Sequence, residues 1–364
     1  MACPRSSRVP DADEADMTEP GESGPIGDGS AEPDSESGRP GDSAPVSRSA
    51  AGPADTPAMD PADVSALADR VAANVEEVIV GKRVAVEHVI VTLLARGHLL
   101  VEDVPGVGKT TLAKAVARSI DGSFTRVQFT PDLLPSDVTG VNVFNQRTDE
   151  FDFQPGPIFG NVVLGDEINR APPKTQAALL EAMEEQQVTT DGVTRELPDP
   201  FCVIATQNDV EPGQTYELPV AEVDRFTKKI RLGYPDTAEE AEIIGRMADD
   251  HPVDAVEPVA TIGDVQRARA AVGAVEATET VRKYIARLAV DTRRSARLGV
   301  SPRGSLALLR ASQARAALDG RDYVIPDDVQ GEAPTVFAHR IRTDASGTDG
   351  EDVVADALER VPVE

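Results

Sequence analysis

Apolar positions along the chain fall into three regimes. Residues 1–58 hold Gly, Pro, Ser, Asp and Glu with no periodic apolar position. Such a stretch cannot bury enough surface to offset the entropy of ordering, and disorder is expected there. From Asp63 onward Val64, Leu67, Val71, Val75 and Val78 recur at helical spacing, and a second helix is predicted over about 84–96. The short run Leu99-Leu100-Val101 leads into a glycine-rich loop, after which 111–120 reads as a helix. Further short apolar runs at 124–129, 162–164, 201–205 and 228–232 are bounded by turn or polar residues, as buried parallel strands are. Helical stretches lie between them, notably 174–187. Two hairpins are predicted, one turning at 147–150 and one at Asp191-Gly192, with alternation from 188 to 197. The expected fold class is α/β, with a mostly parallel five-stranded sheet.

After Tyr234-Pro235 the strand signals stop. Residues 237–250, 261–275, 279–298, 302–319 and 350–360 read as helices, alanine- and arginine-rich on their outer faces. The expected organisation is an acidic disordered tail at 1–58, an α/β domain at 59–234 and a small all-helical domain at 235–364.

Composition narrows the function. The formal charge is −27, of which residues 1–60, with 13 acidic and 4 basic side chains, contribute −9. A field of that sign opposes non-specific contact with nucleic acid or anionic lipid. Lysine is scarce, 7 against 29 arginines, which fits a high-GC genome and a halophile about equally, the acidic excess tipping slightly to the second. The apolar stretch at 84–94 is broken by Glu87 and His88 and is too short to span a membrane. The N-terminus shows no apolar signal-peptide region. With two cysteines, Cys3 in the tail and Cys202 in an apolar run, a disulfide framework is not expected and a reducing cytoplasm is the default. Cys202 reads as a buried small hydrophobe.

The chemistry concentrates in Val104-Pro105-Gly106-Val107-Gly108-Lys109-Thr110. A phosphate loop must bring backbone N–H groups close around a polyanion and feed them into a helix N-terminus. Gly106 and Gly108 supply the close approach, Lys109 suits the β- and γ-phosphates of ATP, and the Thr110 hydroxyl suits Mg²⁺. The first glycine of the usual pattern is replaced by Asp103, so the strict expression is not matched. Some 55 residues on, the run 162–164 ends in Gly165-Asp166-Glu167. Acids at a strand's C-terminal end sit where α/β sheets bind ligands. Asp166 is the candidate Mg²⁺ ligand and Glu167 the candidate base for the attacking water. Asn208 closes the next strand, where a neutral amide suits water and γ-phosphate, or simply forms a turn. Arg225 precedes the last strand, as a phosphate ligand or as the surface partner of Asp224. Ser301-Pro302 is a helix start that fixes Arg303 in the first turn, where it serves a phosphate or only the cap.

These residues together resemble the MoxR group of AAA+ ATPases over residues 62–364. The resemblance rests on Val101-Glu102-Asp103-Val104-Pro105-Gly106-Val107-Gly108-Lys109-Thr110-Thr111 and on Gly165-Asp166-Glu167-Ile168-Asn169-Arg170-Ala171-Pro172-Pro173-Lys174-Thr175-Gln176. Ala205-Thr206-Gln207-Asn208, Leu218-Pro219 with Asp224-Arg225-Phe226, Ser301-Pro302-Arg303 and Gly320-Arg321-Asp322-Tyr323-Val324 also match. The acid at Asp103 is a habit of that family. The resemblance implies that Pro105 to Thr111 cradle the nucleotide, that Val80-Gly81 flank its adenine, that Asn208 is sensor 1, Arg225 the arginine finger and Arg303 sensor 2. The two hairpins resemble the helix-2 insert and the pre-sensor-1 hairpin. It further implies a ring, commonly a hexamer, with ATP at subunit boundaries, chaperone-like action on protein complexes and a von Willebrand A-domain partner.

Three other functions fit parts of the sequence less well. A nucleic-acid motor lacks its basic stripe here. A non-hydrolysing nucleotide scaffold has no use for Lys109, Asp166, Glu167 and Asn208 together. A P-loop kinase for a small molecule leaves the helical domain unexplained. Deleting residues 1–58 is expected to leave folding and ATP turnover nearly unchanged; a large fall in the unfolding temperature of the truncated protein would show that the tail packs on the core.

Overall fold

The computed structural model describes residues 58–207, 216, 218–247, 253, 256–344 and 347–363, which fall in one compact unit. The tail predicted at 1–58 lies, but for its last residue, outside the described residues. Two helices open the chain, α1 (Pro61–Glu76) and α2 (Arg83–Leu94). Strand β1 (Leu99–Glu102) and helix α3 (Lys109–Ser119) flank the glycine loop, and β2 (Phe124–Gln128) and the short α4 (Pro135–Thr139) follow. The hairpin β3 (Gly140–Asn145)/β4 (Glu150–Pro155) precedes β5 (Val162–Asp166) and α5 (Pro173–Glu185). A second hairpin, β6 (Gln187–Thr190)/β7 (Val193–Glu196), precedes β8 (Cys202–Gln207), α6 (Val220–Val223) and β9 (Lys228–Ile230). The rest is helical: α7 (Thr237–Met247), α8 (Ile262–Ala274), α9 (Glu279–Ser295), α10 (Pro302–Leu318), α11 (Pro326–Phe337) and α12 (Gly350–Arg360).

Five strands form one sheet in the order β2-β5-β8-β1-β9, every neighbouring pair parallel. The central strands carry apolar residues on both faces because helices cover both. Leu99, Val101, Leu164 and Ile204 face one apolar cluster with α1, α2, α3 and the C-terminal helices, while Leu100, Val163, Val203 and Ala205 face a second one with α5 and Phe226. Cys202 is buried and free, and burial pushes its thiol up to about 12. The two hairpins stand beside the sheet as separate ribbons, joined by Asn142 donating to Asp191 at 2.7 Å and by Arg195 lying 3.7 Å over the Phe153 ring. No helix among the described residues is long and apolar enough to cross a membrane.

Helix α11 escaped the sequence reading. Pro334 inside it and the short apolar count conceal its period, although Pro326 in its first turn followed by Asp327 and Asp328 is a start signal. This helix brings Glu332 against Lys228 of β9, both wholly buried. Arg315 of α10 donates to Glu332 at 3.0 Å and to Glu87 of α2 at 3.1 Å, and His88 Nδ1 lies 2.9 Å from Lys228 Nζ. Buried charges persist only when so paired. The network therefore fixes the C-terminal helices against the strand they flank.

Three histidines, His88, His98 and His339, are kept neutral inside the fold, the last by burial and the adjacent Arg340 charge. His98 Nδ1 accepts the Val203 N–H at 3.0 Å, and its Nε2–H donates to the Met183 carbonyl at 3.0 Å. Burial pushes His98 down to about 4, and burial followed by the Lys228 charge does the same to His88. An unfolded histidine takes its proton near pH 6.5, well before the folded one does. Stability is therefore full above that value and falls as pH drops towards 4, by an amount on the order of a few kcal/mol. Calorimetry from pH 7 to 4.5 is expected to show that fall. His98→Gln, which keeps one acceptor and one donor, should flatten part of it; an unchanged slope would remove His98 from the account.

Candidate active site

Parallel strands present all their C-terminal ends at one edge, and the predicted nucleotide residues gather there. The loop after β1 turns through Gly106 (φ 86°) and Gly108 (φ 94°), conformations that favour glycine, and α3 starts at Lys109. A Cβ on Gly106 would meet nothing within 4 Å, so the loop opens outward as a cradle does. Lys109 is buried; its Nζ donates to the Asp103 carbonyl at 2.9 Å. Burial holds its ammonium below the usual range, opposed by the charges of Asp166, Asp103 and Glu167. Thr110 and Thr111 follow in the first turn of α3. Ile79 approaches Gly108, where an added Cβ would lie 3.6 Å from its Cδ1, so the loop holding Val80 and Gly81 (φ 71°) flanks the cradle.

Asp103 explains the missing glycine. Its Oδ2 accepts the N–H groups of Leu232 at 2.6 Å and Gly233 at 2.7 Å, and its Oδ1 accepts that of Val104 at 2.8 Å. A glycine could start the loop but could not tie it to the chain leaving β9.

Asp166 ends β5, and Glu167 follows in the left-handed region (φ 57°). Thr206 of the adjacent strand aligns both: its hydroxyl donates to Asp166 Oδ1 at 2.6 Å and accepts the Glu167 N–H at 2.8 Å. Arg126 of β2 donates to Asp166 Oδ2 at 2.5 Å, while Gln128 and Arg170 donate to Glu167 Oε2 at 3.0 and 2.8 Å. Sequence reasoning singled out none of these four as site residues. Thr206 and Arg170 sit within quoted motif runs, whereas Arg126 and Gln128, on a strand with polar outer positions, give no signal. Asn208 lies outside the described residues.

Arg225 and Arg303 are elsewhere. They meet at the N-terminal edge of the sheet, where Arg225 Nε lies 3.5 Å from Glu184 Oε2 and Arg303 pairs with Glu184 Oε1. Both line a cavity of about 630 Å³ with Arg96, Arg310, Glu184 and Asp224. Asp224 is not the partner of Arg225; its carboxylate accepts Arg340 Nε at 2.8 Å and the Ser301 hydroxyl at 2.9 Å. Four residues of β1 separate this edge from the phosphate loop, roughly 13 Å of strand.

A glycine cradle after β1, paired acids after the second strand over and a helical C-terminal part define an α/β P-loop NTPase. Residues 98–228 match the family described as ATPase family associated with various cellular activities (AAA), and 288–358 match the AAA lid domain. The chain is 48% identical to the uncharacterized protein YeaC of Bacillus subtilis over 83% of this chain and 96% of that protein. It is 42% identical to the chaperone MoxR1 of Mycobacterium tuberculosis over 75% of each. A crystal structure of a Cytophaga hutchinsonii protein, provisionally described as an ATPase, superposes with a TM-score of 0.78 at 36% identity, covering 83% of this chain and 96% of that one. The chain belongs to the MoxR family of AAA+ ATPases.

Asp103→Ala leaves three backbone donors, one fully and two partly shielded, without their acceptor. Each unsatisfied buried donor costs about 1–3 kcal/mol, so the unfolding temperature should drop clearly. A variant as stable as the wild type would mean that water replaces the carboxylate.

Proposed function

We propose that the protein hydrolyses ATP in an assembly of identical subunits, commonly a hexameric ring, and uses the cycle to remodel a protein client. One observation carries this reading: the phosphate cradle and its acids lie at one edge of the sheet, and the two candidate phosphate arginines lie at the other. Residues 59–234 act as the ATPase module and 235–364 as its lid. Within one subunit, backbone N–H groups from Pro105 to Thr111 and the Lys109 ammonium bind the triphosphate, and Val80-Gly81 border the base. The hard oxygen donors Thr110 and Asp166 fit Mg²⁺ and would hold it, and the ion would supply positive charge against the phosphates. Thr206 and Arg126 hold Asp166 in place. Glu167, aimed by its left-handed backbone and held by Gln128 and Arg170, takes the proton of the attacking water; Asn208 takes the sensor 1 role that the family resemblance gives it.

Charge developing on the transferred phosphoryl group needs a further cation, and no arginine at the far edge can reach its own cradle. Arg225 and Arg303 therefore serve a neighbouring subunit. The net charge of −27 supports a protein client over nucleic acid, and a von Willebrand A-domain protein is the partner class the family suggests. Cytoplasmic placement accords with these roles.

Hydrolysis is expected to rise more than linearly with protein concentration as subunits associate. Glu167→Gln should retain nucleotide while turning over slowly; wild-type turnover would put the base elsewhere. Arg225→Ala should bind ATP normally and lose roughly 10³–10⁵ in rate, the worth of such a residue in other P-loop enzymes. Mixing it with Lys109→Ala, which offers an intact Arg225 beside a dead cradle, should restore part of the activity. No recovery in subunits shown to co-assemble would refute action across the boundary.

A further inference from the structure

Arg225 and Arg303 come from different parts of the chain, yet both hang from one joint. Arg225 directly follows Asp224, and Arg303 lies two residues after Ser301. The Ser301 hydroxyl donates to the Asp224 carboxylate at 2.9 and 3.1 Å, and also caps the helix that carries Arg303 by accepting the Gly304 N–H at 3.2 Å. Arg340, buried in the turn between α11 and α12, closes the joint. Its Nε donates to Asp224 Oδ1 at 2.8 Å, and its terminal nitrogens donate to the carbonyls of Asp224 at 3.1 Å, Phe226 at 2.6 Å, Thr227 at 3.3 Å and Val336. The side-chain stem runs under the first turn of α10, where a Cβ on Gly304 would fall 2.8 Å from Arg340 Cδ. Glycine next to Arg303 thus lets the helix close onto this side chain.

The two outer arginines have little else to position them. Arg225 Nε makes no hydrogen bond, only its 3.5 Å ion pair with Glu184, and the exposed Arg303 pairs with that same part-exposed carboxylate. An exposed ion pair fixes a long side chain weakly. Their placement is set by backbone, and the backbone on both sides is held by Asp224 and Arg340.

We propose that Arg340 is a positioning residue for hydrolysis in the adjacent subunit, tying the Asp224–Thr227 segment to α10 so that Arg225 and Arg303 are presented as a pair. This rests on the reading that those arginines act across the subunit boundary. The planar fork is what the joint requires, since a lysine keeps the charge but cannot reach acceptors spread around a plane.

The test uses the full-length protein. Arg340→Lys should bind ATP with unchanged affinity, because its own cradle is intact. Its hydrolysis should fall by up to roughly 10²-fold, as misplacement of about 1 Å does elsewhere. Mixed with Lys109→Ala, it should recover, since its sound cradles then receive correctly held arginines from neighbours. A side chain that only stabilised its own subunit would show no such recovery. Arg225→Ala mixed with Lys109→Ala runs in parallel. Recovery there but not with Arg340→Lys overturns the role of Arg340 alone; recovery in neither overturns action across the boundary, and this proposal with it. Wild-type hydrolysis by Arg340→Lys also overturns it. Should that variant not fold, Ser301→Ala, which removes the hydroxyl tie from the same joint, decides by the same mixture, with a smaller loss expected.

Discussion

Parallel pairing of β1 between β8 and β9 is the constraint from which the rest follows. Three strands that run the same way must all end on the same side, so the loop after β1, the acids after β5 and the threonine of β8 arrive together without any long-range design. The same rule sends whatever precedes a strand to the opposite side. Arg225, just before β9, and Glu184, at the end of the helix returning from the acids, are therefore placed together and away from the cradle. An asymmetric subunit is the direct result. Its glycine loop and acids lie at one edge of the sheet, and Arg225 and Arg303 pair with Glu184 at the other.

Acidic residues in this chain do more than colour its surface. Asp103 gathers three backbone N–H groups, Asp224 gathers a hydroxyl and a guanidinium, and Glu332 answers two cations in the interior. In each case an anion joins segments more than a hundred residues apart, or helices to a strand, through contacts that water would otherwise make. Such contacts are directional, so they fix orientation as well as proximity. Arginine is the usual answering partner, as its fork serves several acceptors at once.

Much of this was legible in the sequence, and the limits have physical causes. All five strands of the main sheet, both hairpins and the helices at 61–76, 173–185 and 302–318 follow from apolar period and turn residues, because burial on one or both faces imposes that period. The glycine loop before α3 and the acids ending β5 stood out because glycines, lysine and acids fall at fixed local spacing next to apolar runs. Helix α11 was not, since Pro334 breaks its pattern, and its burial is partly of a charged residue, Glu332. The N–H partners of Asp103 lie 129 and 130 residues away, and Arg126 reaches Asp166 across strands. Contacts of that range leave no periodic trace, so they become visible only once strand order is known.

Glu167 carries a further consequence. Its backbone occupies a region that costs a residue with a side chain about 1–2 kcal/mol, and the Thr206 hydroxyl helps to hold it there. Glycine would sit in that conformation freely but would bring no carboxylate. The most relaxed chain at this position would therefore carry no acid beside Asp166, and the side chain here is kept at some expense of thermal resilience.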